Sequence, residues 1–597
     1  MLSMDIMTLP SSALRPVSLA SLSLLAALTA CKDPPSADNG DENDTTADTG
    51  TETETDSGGD ESPQIICEPG QTRCAEGDLT TMEECAPTGL RWDPLPCEGY
   101  EQCRPIENED TGNIGAVCWG PCEQLADTPT SEGCSFYTTG LYQASLSFMS
   151  DPADFPDAIV VGNPQIDLDA EVELRFVPYG TNQEEVVEGP VTIAPGDSHV
   201  FLLDPYITLY ESSGEETSLY RSGLVYHATS NLPVVAYLHA PYIGDNSNGS
   251  TLLLPEHALQ SDYVVYSHNA WVAPNYFTVI AIENETEVTW TPTADTAGNG
   301  WPIDFVDHNL MQSGTQLLNR FDNIRVDTSI KNGALKCEQD LSGTVITANK
   351  PIWVVSAVRG LRLPFCGSAI EMGCPGVVDT ACNGGSDYAM EQNLPLDYWG
   401  QIYVGPASPV RNMEQHVWRV YAGDDDVTID VTPDQGGPIN LAKRGEWVEL
   451  IVPTGTDLLF EGDGPFMPVQ YVTGHYDNAD MRGSPAMIQM VPTAQFLDRY
   501  VFVTGTNYDE HYVQVIRESG QGQIILDGNQ VSGWNSVGDW QVATVLIEEG
   551  AHEIHSVDPN NFFGIVQYGY SPYIETADQS AGYGYMGGMK AEEIYIP

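Results

Sequence analysis

One strand element recurs along this chain and limits what it can fold into. Asn231-Leu-Pro-Val-Val-Ala-Tyr237 is echoed by Asn349-Lys-Pro-Ile-Trp-Val-Val355 and by Gly464-Pro-Phe-Met-Pro-Val-Gln-Tyr471. A second element follows each: Leu253-Leu-Pro255 leads to Tyr263-Val-Val265, Asn393-Leu-Pro395 to Ile402-Tyr-Val404, and Met490-Val-Pro492 to Tyr500-Val-Phe-Val503. A pair of strands comes next, at 277–290, 417–431 and 512–526, and Asn561-Phe-Phe-Gly-Ile-Val-Gln-Tyr568 closes the series as a half unit. Within these stretches apolar and polar residues alternate, as in Glu171-Val-Glu-Leu-Arg-Phe-Val177, between Gly, Pro, Asn and Asp. A period of two residues bounded by turn formers specifies strands, and amphipathic helical patterns are absent. The Leu-Pro positions lie 140 and then 97 residues apart, the longer interval holding a four-cysteine insertion. The repeat therefore reads as about three units of roughly 100 residues. Their size and strand density predict an all-β chain of tandem β-sandwich-like units; propeller blades or a continuous β array are the alternatives.

Thirteen cysteines add a second constraint. Eight fall early, at Cys67, Cys74, Cys85, Cys97, Cys103, Cys118, Cys122 and Cys134; four fall at Cys337, Cys366, Cys374 and Cys382; Cys31 stands apart. Even clusters with no C-x-x-C pair predict disulfides rather than a zinc ribbon, and an exported chain. Pairing is not readable from spacing, but each cluster is expected to pair within itself. Residues 62–134 read as a small disulfide-rich module whose core is too small to stand without cross-links.

The beginning of the chain reads as an export signal. An apolar run from Val17 to Ala30 follows Arg15 and ends in Leu28-Thr-Ala-Cys31. That tetrad resembles a bacterial lipobox, which implies a signal peptide over 1–30 and lipidation of the Cys31 thiol, and so a membrane anchor without a spanning helix. Residues 31–61 are an acidic tether, with almost no large apolar side chain to offset the entropy of ordering. Acidity continues beyond it. The whole chain has 86 Asp and Glu against 22 Lys and Arg, a formal charge of −64, which excludes phosphate binding through clustered bases, hence no nucleic acid partner.

The main body, 135–597, also resembles a known family. The order Ala348-Asn-Lys-Pro-Ile-Trp-Val354, then Asn393-Leu-Pro395 with an aromatic strand, then a paired strand, is similar to the IgGFc-binding protein N-terminal domain family over roughly 220–590. So is the ending, Phe563-Gly-Ile-Val-Gln-Tyr-Gly-Tyr570 followed by Ala581-Gly-Tyr-Gly-Tyr585. The insertion near 337–382 interrupts it. In animals the family heads a large secreted mucus protein named for binding immunoglobulin Fc, and its bacterial members are mostly uncharacterised surface proteins. The resemblance implies a binding role and carries no binding residues across.

Motifs with chemical associations are weak. Gly582-Tyr-Gly-Tyr-Met-Gly587 fits G-x-G-x-x-G, but lacks room for the βαβ unit that a dinucleotide needs and reads as an edge strand. His552-Glu-Ile-His555 has a three-residue spacing in a strand, which puts the imidazoles on opposite faces. Asp245–Glu256 and Gly423-Asp-Asp-Asp426 read as polar turns before they read as calcium loops. Neither G-x-S-x-G nor a P-loop occurs. The expectation is a non-enzymatic cell-surface lipoprotein, outer-membrane or surface-exposed, without cofactor or metal. It would bind an unknown protein or glycan in adhesion, touching the membrane through its lipid only, with exposed Tyr and Trp as carbohydrate contacts. An envelope assembly component and, third, an extracellular hydrolase are the alternatives.

Overall fold

The computed structural model describes residues 65–595 apart from Glu98, 108–113, 126–127, 142–155, 205–217, 243–247, 270–273, 299–311, 330–339, 364–386, Met413, 476–480 and 573–579. Cys31, the signal and tether, and Cys337, Cys366, Cys374 and Cys382 lie outside the described residues.

A disulfide-rich module comes first. Thr72–Ala75, Asp78–Cys85 and Trp92–Pro96 form a three-stranded sheet, and Gln102–Glu107 pairs with Ile114–Trp119. Cys67–Cys85, Cys74–Cys103 and Cys97–Cys118 lock it from within; Cys122–Cys134 ties it to the next strand. Loops of this length cross-link for about 3 kcal/mol each in the chain-entropy picture, which substitutes for a core that these few strands do not build.

Four β-sandwiches of one topology follow. In the first, a single strand, Val225–Ala240, runs through both sheets. Its first half pairs with Gly133–Thr139 and Ala170–Val177, and its second half with Ala158–Gly162 and Gly249–Leu253. Glu185–Ile193 and Ser198–Leu202 complete the two edges. The second sandwich repeats every pairing around Val345–Leu361, from Gln260–Val264 to Asp387–Gln392. In the third and fourth the long strand is broken in two, as Leu458–Gly462 with Phe466–Val472 and as Ala551–Ser556 with Gly564–Tyr570, and the strand order is kept.

The recurring Asn-x-Pro element is the corner at which the chain changes sheets. Proline has no N–H to lose from a ladder there. The polar side chain before it bonds a neighbouring strand: Asn231 Oδ1 accepts from Glu171 N (2.8 Å), Asn349 Oδ1 from Glu287 N (2.8 Å), and Asp463 Oδ1 from Thr428 N (2.7 Å). The Leu-Pro elements are the links between sandwiches, each entering a single 3-10 turn, Glu256–Ala258, Leu396–Tyr398 or Thr493–Gln495. The tyrosine beyond each turn accepts from the backbone N–H three residues upstream, Tyr263 from Gln260, Tyr403 from Gly400 and Tyr500 from Leu497.

There are therefore four units, where the repeat read about three. The frame taken from the sequence starts at a corner, halfway through a sandwich. The closing half unit at Asn561 is the second half of the fourth sandwich, and the matching first half precedes Asn231.

The last strands of the four units meet at the centre. Gly249–Leu253 packs on Asp387–Gln392 and on Gly582–Met586, and Ala486–Gln489 packs on the same two, which closes a ring. Glycine permits the approach: a Cβ on Gly584 would lie 2.2 Å from Ile488 Cδ1. The C-terminal segment staples the ring, with Ser131 N donating to Met589 O (2.8 Å) and Lys590 N to Gln495 O (2.8 Å). One continuous apolar core runs through all four sandwiches, with a second cluster inside the second sandwich. No described helix is long and apolar enough to cross a membrane.

Candidate binding site

The aromatic residues are spent on this core. Trp290, Trp353, Trp399, Trp418 and many tyrosines are fully buried, and the large aromatics exposed among the described residues are Tyr100, Tyr179 and Phe562. Among the described residues, then, most of the Tyr and Trp serve a wide β core, and their number alone is no argument for carbohydrate stacking.

Basic residues are scarce, and several of the arginines are buried at the seams. At the seam of the second and third sandwiches, Arg419 Nη1 donates to Asp340 Oδ2 (2.6 Å), Ser342 Oγ (2.8 Å) and Ser267 O (3.0 Å), while its Nε donates to Glu449 Oε2 (3.0 Å). Its guanidinium lies 4.0 Å above Trp447. Burial by itself raises the carboxyls of Asp340 and Glu449. For Asp340 the charges of Arg419 and His268, with hydrogen bonds from Arg419 and Ser342 N, together outweigh it; for Glu449 the His268 hydrogen bond and charge and then Arg419 together do so, holding it at about 2. At the ring centre the reverse holds. Glu391 is fully buried with no cation beside it among the described residues, and burial pushes its carboxyl well above the ordinary range. Hydrogen bonds from Thr251 Oγ1 (2.7 Å) and Gln489 N (3.1 Å) offset only part of that. These clusters hold units together, with Glu391 fully buried and the Arg419 cluster open to solvent only at Glu449 and the edge of Asp340.

A Ser-His-Glu constellation, invisible in the sequence because its members are 43 and 92 residues apart, forms on the first sandwich. Ser135 Oγ is 2.8 Å from His227 Nε2, and His227 Nδ1 contacts Glu184. Ser135 also donates to Glu256 Oε2 at 2.6 Å, as does Tyr137 at 2.7 Å. Two acceptors, His227 Nε2 and the Glu256 carboxylate, thus compete for the one proton of Ser135. A serine nucleophile has the imidazole alone to take its proton. Ser135 also lies inside a strand, Gly133–Thr139. The cluster fastens the linker turn at Glu256 to the first sheet.

The metal-like motifs resolve in the same way. Asp425 pairs with Lys443 (2.6 Å) and accepts from Arg444 N, and Asp424 accepts from Tyr595. His552 is buried against Asp527 while His555 is half-buried, on opposite faces. Residues 245–247 of the Asp245–Glu256 loop lie outside the described residues, and Ser250 and Glu256 bond His239, Ser135 and Tyr137. Cys97, Glu101 and Cys118 lie close together, but both sulfurs are in one disulfide. Gly582–Met586 is a strand of the central ring.

An open concavity is found on the fourth sandwich. The hairpin Ile524–Leu526/Asn529–Gln530 turns at Asp527-Gly528, both with positive φ (48° and 76°), the mirror-image turn that Asp-Gly favours. Asp527 Oδ2 meets His552 Nδ1 at 2.7 Å and its Oδ1 accepts from Glu553 N, which fixes the hairpin against its sheet. Between this hairpin and Thr544–Glu549 lies a groove of about 690 Å³. Leu546 stands 63% exposed beside it, with Glu548 and Glu549 exposed at one end. A second cleft of about 320 Å³ lies at Trp399–Ile402, Pro492 and Tyr595. No sequence signal marked either, since each joins strand ends from separate stretches of chain.

A family model described as IgGFc binding protein matches residues 249–569, from the last strand of the first sandwich to the penultimate strand of the fourth. No curated protein matches the chain.

Proposed function

This chain belongs to the IgGFc binding protein family, and from that premise we propose that it is a protein-binding module acting outside the cytoplasm, in adhesion at a cell surface. The observation that carries the reading is the family match across three of the four sandwiches, on a rigid cross-linked scaffold that leaves a groove open on the fourth. Rigid strands with recognition on their edges and loops are the general form of β-sandwich binders. Four disulfides support an oxidising compartment. Lipidation at Cys31, with the acidic stretch as tether, is the anchoring we propose. No catalytic role is proposed: among the described residues the Ser-His-Glu cluster has its serine inside a strand, with the Glu256 carboxylate competing for its proton.

The test is equilibrium binding of the intact, oxidised chain to purified immunoglobulin Fc, with Fab as control, followed by proteins captured from serum and cell-envelope extracts and then purified. Saturable binding to a purified protein supports the module. A flat response across all of them refutes it.

A further inference from the structure

The groove on the fourth sandwich adjoins an unfilled place in a sheet, and this makes the binding-module reading, on which it rests, specific. Trp540–Ile547 pairs along its whole length with Glu510–Glu518. On its other side Asn535–Val537 covers only Trp540–Val542. From Ala543 to Ile547 the outward N–H and C=O groups face no strand among the described residues. Such an edge is a template for another chain unless something blocks it. No proline or lysine occurs in Ala543–Ile547, and its Leu546 is exposed.

The same edge of the sheet takes an added strand elsewhere in the molecule. In the second sandwich the equivalent strand, Asp322–Asp327, carries an added strand, Leu219–Ser222, which lies antiparallel on it with Leu219 opposite Arg325 and Ser222 opposite Asp322. This topology therefore accepts an extended segment at that edge. In the fourth sandwich the edge opens on the groove, and its rim is acidic, with Glu548 and Glu549 exposed and Asp527 on the facing hairpin.

We infer that Ala543–Ile547 is a docking edge for an extended, basic peptide segment of a protein partner, which joins the sheet as an additional strand. Backbone hydrogen bonds supply the affinity in this mode, and alternate side chains supply the selection. Leu546 meets an apolar side chain of the incoming strand, and Glu548 and Glu549 select lysine or arginine over acids by charge complementarity.

The probe is a fluorescein-labelled nonapeptide alternating valine and lysine, titrated into the full oxidised chain and read by fluorescence anisotropy. Saturable binding is expected, weakened roughly tenfold by Glu548→Lys and by Leu546→Ser, both exposed positions whose variants keep the wild-type melting temperature. The valine–glutamate counterpart is expected not to bind. N-methylation tests the backbone directly. Only one edge of an added strand pairs, so methylating one alternate set of residues abolishes binding and methylating the other set leaves it. Equal tolerance of both sets, equal binding to the Glu548→Lys variant, or no binding of the basic peptide overturns strand addition. Protein binding that persists unchanged in Glu548→Lys and Leu546→Ser leaves the module reading standing and places its site elsewhere.

Discussion

Replacing Arg419 with methionine tests how the sandwiches are held together. The substitution keeps most of the buried volume and removes a guanidinium bonded to two carboxylates, a hydroxyl and a carbonyl within 3.0 Å. Breaking a buried pair by deleting one partner costs about 3–5 kcal/mol, because the other charge is stranded. Here the stranded groups are not fully sealed: the Asp340 side chain is 10% exposed and that of Glu449 26%. His268 also remains 3.2 Å from Glu449. The loss therefore falls at the lower end, about 3 kcal/mol. Because four sandwiches need not unfold as one, the assay is amide hydrogen exchange across Trp447–Val452, with urea unfolding read by tryptophan fluorescence as a second measure. About 3 kcal/mol corresponds to roughly 10²-fold faster exchange in that strand. Adding Asp340→Asn recovers part of the loss by removing one stranded charge. A loss below about 1 kcal/mol, the range of a surface pair, would refute the reasoning. The pH dependence has a definite sign. Glu449 is depressed to about 2, so its contribution is present above the ordinary carboxyl value of about 4.3 and is lost as pH falls from there through about 2.

Other substitutions probe other links. Glu391, raised by burial, contributes stability that is full below the ordinary carboxyl value and lost as pH rises toward its elevated folded value. Glu391→Gln is therefore expected to flatten that part of the stability–pH curve and to match or exceed wild type at pH 8, measured by urea titration at pH 4 and 8. At the second–third seam Gly343 has φ +83°, and a Cβ there would lie 1.9 Å from Gly445 O; Gly343→Ala is expected to cost about 1–3 kcal/mol, read as a lowered urea midpoint. Cys31→Ala in the native host is expected to abolish lipid labelling and to release the protein from the membrane fraction, checked by fractionation and intact-mass measurement.

The fold class was legible because strands advertise themselves by alternation, and the Asn-x-Pro and Leu-Pro elements mark physical features. One is the corner where a chain changes sheets, the other the turn between units. Their count was misread because a corner lies mid-unit, and nothing in a one-dimensional repeat says where a closed sandwich begins. The early cysteines paired among themselves as expected, but Cys134 belongs to the first strand of the first sandwich, so the last bond joins module to body. The seam clusters were unreadable. Arg419 reaches Asp340 across 79 residues and Ser267 across 152, and only the packing of one sandwich on the next brings them together. The open edge at Ala543–Ile547 was equally hidden, since an unpaired strand has the same alternation as a paired one. The abundance of aromatic residues says nothing about exposure: among the described residues most of them pack into the core.

The central claim, that this chain is a protein-binding module, is tested most directly by interferometry with the oxidised full chain immobilised and purified Fc as the first titrant, then the proteins captured from serum and envelope extracts. The account predicts saturable binding with a fixed stoichiometry to at least one purified protein, weakened at high salt if the acidic rim takes part. No saturable binding to any of them, by a chain whose disulfides and melting transition are intact, would contradict it.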